Sequence, residues 1–144
     1  MSAEKTARAT WSGDLTGGKG TIDSVGSGMF GPLPVTWAAR TGEESGLTSP
    51  EELIAAAHAA CFSMALSNVL GKAGTPPDHL DVTAAVTFAP GPGITTSTLE
   101  VIGTVPGLDQ DAFRLAAEDA KENCPVSKAL SGNVEISVRA TLAS

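Results

Sequence analysis

The chain has 144 residues, a length that predicts one domain spanning residues 1–144. Hydrophobic residues make up 42% of it, enough for a packed core, and the net charge of −7 argues against nucleic acid or an anionic membrane surface as a partner. Two cysteines and two histidines are too few and too scattered for a zinc site, so no metal is expected.

The first residues, M-S-A-E-K-T-A-R-A-T-W, lack the apolar run of a signal peptide, which predicts a cytoplasmic protein. In that reducing compartment a pair of cysteines is redox-active or inert more readily than a structural disulfide. Ala7, Ala9 and Trp11 alternate with polar residues and predict a first strand; residues 20–25 read as a second. Residues 26–34 form a Gly/Pro loop. Val35, Trp37 and Ala39 then alternate with Thr36, Ala38 and Arg40, predicting a third strand with Arg40 on the face opposite Trp37. A polar loop, residues 41–47, follows.

The stretch T-S-P-E-E-L-I-A-A-A-H-A-A-C-F-S-M-A-L-S-N-V-L-G-K-A-G then predicts the central helix. Ser49 is a good N-cap, Pro50 suits the first helical position, and Glu52 completes a capping box. Gly74 with Thr75-Pro76-Pro77 is a stop signal. The helix so bounded has roughly 24 residues and a length of about 36 Å. From Leu53 to Leu70 no side chain carries a formal charge, and apolar or small residues lie on every face, the pattern of a helix buried all round. His58, Ser63, Ser67 and Asn68 interrupt the run and Ala dominates it, which favours a buried core helix over a membrane span. One sheet and one short helix cannot cover such a helix, so a second copy of the chain is expected on it, as a two-fold homodimer.

Further on, residues 82–88 alternate as a strand, Pro90-Gly91-Pro92-Gly93 turns, and residues 94–105 return, predicting a hairpin. Asp109 is a candidate N-cap for a second helix, in which Phe113, Ala116, Ala117 and Ala120 share a face. Pro125 ends that helix with Cys124 at the junction, residues 126–130 suit a short helical turn, and residues 134–142 alternate strictly as a last strand. The whole predicts an α+β fold with mainly antiparallel sheet.

Few residues are available for chemistry. Cys61 sits mid-helix, where the macrodipole gives no help, so a reactive thiolate there needs a positive charge from elsewhere; the other reading is a small apolar core residue. Cys124 caps the turn begun by Pro125, where free amides favour a thiolate; a buried junction residue is equally open. Arg40 is a candidate cation, and Glu51, with Glu52 occupied in the capping box, is the carboxylate free to orient it. Glu51 alternatively serves only the helix N-terminus. Glu51 and Cys61 lie about 15 Å apart along one helix and cannot meet within it; crossing antiparallel helices of two subunits are one way to bring both into one site. His58 shares a face with Cys61 and could act as its base, or be a hydrogen-bonded structural residue.

The motifs T-S-P-E-E-L-I-A-A-A-H-A-A-C-F-S-M-A-L around Cys61 and C-P-V-S-K-A-L at Cys124 closely resemble the OsmC/Ohr family of thiol peroxidases. W-S-G-D at Trp11, G-K-G-T at Gly18 and His58 before Cys61 look like its OsmC (osmotically inducible protein C) branch. The resemblance implies a swapped homodimer, with mainly antiparallel sheets around two long central helices. It implies a peroxidatic Cys61, a resolving Cys124 and a catalytic Arg40, with Arg8 as the substitute, held by Glu51. It further implies reduction of organic hydroperoxides, more weakly of hydrogen peroxide, under oxidative or osmotic stress. An external dithiol would reset the pair with no bound cofactor, and Phe30, Trp37 or Phe62 would supply an apolar wall. The rivals are a non-enzymatic stress protein with inert cysteines and a Cys-His acyl transferase or thioesterase.

Overall fold

The computed structural model describes residues 1–143. They form two compact units, Met1–Pro50 and the chain from Glu51 onward.

In the first unit, β1 (Ala7–Ser12), β2 (Lys19–Val25) and β3 (Leu33–Val35) make an antiparallel sheet in the order β1-β2-β3. Trp11 pairs with Gly20 across β1 and β2, and its indole N–H donates to the Gly13 carbonyl at 3.0 Å. A Cβ at position 20 would stand 2.5 Å from the indole ring, so only glycine lets the ring lie on β2. Gly20 is the one buried residue of this unit, and β1 is exposed along its whole length.

The sequence places a strand over residues 35–40; the structure has instead helix α1 (Trp37–Thr41). Thr36 is extended and its hydroxyl accepts the Ala39 N–H at 3.0 Å, while Gly42 in the left-handed conformation closes the turn. A threonine N-cap followed by two alanines and an arginine favours a helical turn strongly enough to override a six-residue alternation. Only Leu33–Val35 joins the sheet, drawing two residues out of the expected loop. In the helix, Trp37 and Arg40 are three apart and share a face, not opposite faces.

The second unit is built on α2 (Pro50–Lys72). Its end is as expected: Gly74 has φ 87°, and the Thr75 N–H reaches the Leu70 carbonyl at 2.9 Å. β4 (His79–Ala89) and β5 (Gly93–Thr104) form the hairpin, and β6 (Glu135–Leu142) lies parallel to β5 on its other side. That parallel pairing requires a crossover, supplied by α3 (Gln110–Asn123) and α4 (Pro125–Leu130). Asp109 caps α3 as expected, accepting the Ala112 N–H at 2.8 Å. Gln110 fastens α3 to β6, donating to the Ala140 carbonyl at 2.8 Å and accepting the Leu142 N–H at 2.9 Å. The fold is thus α+β with two small, mainly antiparallel sheets.

The core joins Phe62, Leu66 and Leu70 of α2, Leu99 and Val101 of β5, and Phe113, Ala117 and Ala120 of α3. α2 buries one stripe, His58, Phe62, Leu66 and Leu70, at steps of four. Ala56, Ala57, Ala60, Met64, Ser67 and Asn68 on its other side are exposed, Met64 by 72%. Within one chain the helix is therefore covered on one stripe and not all round. By length and composition alone it could cross a membrane, yet its buried stripe is seated on a sheet and carries an imidazole.

Gly103 of β5 admits the Phe113 ring: a Cβ there would lie 2.5 Å from the ring's Cζ, in a core where Phe113 is fully buried. Gly103→Ala is expected to destabilise the protein by roughly 1–3 kcal/mol through overpacking. The measurement is a lower urea midpoint at unchanged denaturant slope. An unaltered midpoint would mean that Phe113 can step aside at no cost.

Candidate active site

Cys61 is next to Phe62 on α2 and flanks the buried stripe, half-buried. Cys124 is fully buried at the junction of two helices, its N–H bonded to the Ala120 carbonyl of α3 and its carbonyl accepting the Lys128 N–H of α4. Pro125 at the first position of α4 forces that break. The fold brings the two thiols close enough for Cys124 to act on Cys61, and both are free.

The Val126 N–H, an unbonded amide in the first turn of α4, donates to the Cys61 sulfur. The sequence reading assigned such amides to Cys124, whose side chain makes no capping bond. It also left Cys61 without help from a helix terminus; the terminus of another helix supplies it. Burial nevertheless pushes the Cys61 thiol pKa up, the Cys124 thiol adds to that, and the Val126 amide only partly opposes them. None of the groups of this unit that shift it is a cation. A thiolate at Cys61 needs a positive charge from beyond those groups.

His58 is fully buried one turn before Cys61. Its Nδ1 is 2.7 Å from the Ser97 Oγ of β5, and its Nε2 is 2.8 Å from the Ser127 Oγ of α4. Both ring nitrogens are thereby occupied, and neither is left to take a proton from Cys61. The pairing needed by a Cys-His acyl transferase is absent among the described residues, and His58 is the structural histidine of the two readings.

Arg40 lines an apolar cleft of about 350 Å³ in the first unit, with Trp11, Leu15, Val35 and Trp37. Arg8, the substitute, is exposed and paired with Asp23 at 3.4 Å. Glu51 lies in the first turn of α2 and is only 5% exposed, a carboxylate held out of water. Of the expected apolar wall, Trp37 lines the cleft, Phe30 is exposed, and Phe62 belongs to the core. So the structure joins Cys61 with Cys124, and describes Arg40 and Glu51 each within its own unit.

Sequence reasoning missed Val126, Ser97 and Ser127. For Ser97 a signal existed: it falls in phase with the inward-facing Leu99 and Val101 of β5, and a hydroxyl on a core face requires a partner.

Burial lowers the His58 pKa from its usual 6.5. Between that lowered value and 6.5 the unfolded chain binds more protons than the folded one, so the stability contribution of neutral His58 is lost as pH falls below about 6.5. The urea midpoint is expected to drop between about pH 7.5 and pH 5.5, and to drop less in His58→Asn. Equal slopes in the two proteins would mean that the imidazole accepts its proton in place.

Residues 42–139 match the family model described as OsmC-like protein. The chain is 43% identical over 139 residues to peroxiredoxin OsmC of Escherichia coli, covering 94% of this chain and 96% of that relative. Among solved structures, an organic hydroperoxide resistance protein of Elizabethkingia anophelis superposes with a TM-score of 0.69 at 26% identity, covering 99% of each chain. The organic hydroperoxide resistance protein OsmC of Legionella pneumophila gives 0.67 at 26% identity, covering 94% of this chain and 96% of that one. The match over the Cys61 helix, the Cys124 junction and most of both sheets places this chain in the OsmC-like protein family.

Proposed function

We propose that this protein is a thiol peroxidase that reduces organic hydroperoxides to alcohols and protects the cytoplasm against oxidative stress. One observation carries the reading: two reduced cysteines, distant in sequence, stand in contact across α2 and α4. The names of its relatives, peroxiredoxin OsmC and organic hydroperoxide resistance protein, agree with it.

In this reading Cys61 is the peroxidatic residue, being the less buried of the two thiols. Arg40, oriented by the Glu51 carboxylate, supplies the positive charge that burial of Cys61 makes necessary. The thiolate attacks the distal oxygen of ROOH; the O–O bond breaks, ROH leaves with a proton, and Cys61 becomes a sulfenic acid. The Cys124 thiol displaces the sulfenic oxygen as water and forms the Cys61–Cys124 disulfide. An external dithiol reduces that disulfide by two exchanges and returns both thiols. The apolar cleft beside Arg40 suits an organic peroxide better than hydrogen peroxide.

The working unit in this reading is a homodimer. The exposed face of α2, with Ala56, Ala57, Ala60 and Met64, is largely apolar on a helix otherwise seated in a core. The first unit has 50 residues and one buried position, too little burial to hold its own sheet. A second copy covers both deficits, and an exchange of the first units between subunits allows Arg40 of one chain to serve Cys61 of the other.

Purified protein is expected to consume cumene hydroperoxide with dithiothreitol as reductant, and Cys61→Ser to fall to the uncatalysed rate. Full activity in that variant would overturn the proposal. Arg40→Met is expected to shift the pH profile of Cys61 alkylation upward and to slow peroxide reduction by roughly 100-fold, as expected for loss of one preorganised electrostatic partner. For the assembly, sedimentation is expected to give twice the chain mass, and Ala60→Glu, on the exposed face of α2, to release monomers. A wild-type monomer at micromolar concentration contradicts the dimer.

A further inference from the structure

We propose that His58 is a positioning residue that sets the separation of the two cysteine sulfurs by tying α2 to α4 through Ser127. The inference rests on the thiol-peroxidase reading and concerns its second step, disulfide formation.

The geometry is a two-rung ladder. His58 precedes Cys61 by three residues on α2, and Ser127 follows Cys124 by three residues at the start of α4. Three helical residues rise about 4.5 Å, so the His58–Ser127 bond and the Cys61–Cys124 contact link the same two elements about one turn apart. The first rung is short, 2.8 Å, and buried at both ends, His58 being 0% and Ser127 3% exposed. Ser97 of β5 holds the other ring nitrogen at 2.7 Å and so anchors the imidazole to the sheet. The position of α4 relative to α2 is thus referred to the central strand of the sheet.

α4 needs such an anchor. It has six residues, too few to be stable as an isolated helix, and its first turn carries two groups that act on Cys61. Those groups are the Cys124 thiol and the Val126 N–H. A small rotation or slide of α4 would move both away together. A disulfide tolerates little: its Cβ atoms must come within about 3.5–4.5 Å. Three polar groups have been placed in a core where apolar side chains of similar shape would be about as stable. Directional bonds give what apolar packing does not, a defined register between two helices. In the reaction, Cys61–SOH and Cys124–SH yield the disulfide and water, and the ladder keeps the attacking sulfur within reach.

The test compares wild type with Ser127→Ala and with the triple variant His58→Leu/Ser97→Ala/Ser127→Ala, which removes the network without leaving an unpaired polar group. Two quantities are read in each: the equilibrium between the Cys61–Cys124 disulfide and dithiothreitol, and the lifetime of the Cys61 sulfenic acid trapped by dimedone. The first requires no peroxide, so it reports on positioning even if wild type fails to consume hydroperoxide and the peroxidase reading falls. The expected result is a disulfide at least 10-fold easier to reduce and a sulfenic acid at least 10-fold longer-lived, with the rate of the first peroxide attack within 2-fold of wild type. The triple variant should show this while unfolding near the wild-type temperature. Folded variants with unchanged dithiol equilibrium and unchanged sulfenic acid lifetime overturn the proposal. Equal slowing of both chemical steps overturns it as well, since that marks a general loosening. Failure of both variants to fold assigns the network to stability alone and has the same consequence.

Discussion

The chemistry we propose depends on the approach of two thiols that lie 63 positions apart, Cys61 in mid-helix and Cys124 at a helix junction. The contact exists because Pro125 cannot continue α3 and starts a new turn, leaving Cys124 buried and its neighbour Val126 with an amide to donate. The same burial that holds the sulfurs together also disfavours ionising one of them. In the proposed reaction the Cys61 thiolate must therefore form against the burial of its own thiol. The conflict is resolved in our reading by a guanidinium, which remains charged at any physiological pH.

The long helix has two unlike sides. One is a stripe of His58, Phe62, Leu66 and Leu70 packed on β5 and α3, and the other an alanine-rich surface with Met64 that nothing in its own unit covers. Such a surface is what our reading assigns to a second copy of the chain. The first unit makes the same demand independently, since a three-stranded sheet with one buried residue contributes little burial of its own. In our reading a symmetric pair of chains would meet both demands with one interface, which is where the proposed catalysis and the proposed assembly converge.

Two hydrogen-bonding histidine contacts also change how the region around Cys61 is understood. An imidazole one turn from a thiol invites a general-base reading, yet its lone pair and its proton are both committed to serines. What it contributes is placement. The burial that keeps the ring neutral also keeps it from exchanging partners with water, so the link between α2, β5 and α4 holds throughout the neutral pH range.

From residues alone one could read the bounds of the central helix, the β4–β5 hairpin, the Asp109 cap, the break at Pro125 and the alternation of β6. Each is written in local chemistry: a cap, a proline, a turn, a period of two. The two cysteines could be picked out as candidates, but their meeting could be expected only through a family resemblance, because no local rule relates positions so far apart. The segment at Trp37 misled, since in six residues a period-two pattern and a threonine-capped turn compete and the cap prevailed. Only the tertiary structure decided that β6 runs parallel to β5, that the Val126 amide serves Cys61, and that Ser97 and Ser127 close on His58. Those are outcomes of packing between distant elements, and the energies that select them depend on which groups lose water together, not on what stands beside them in the chain.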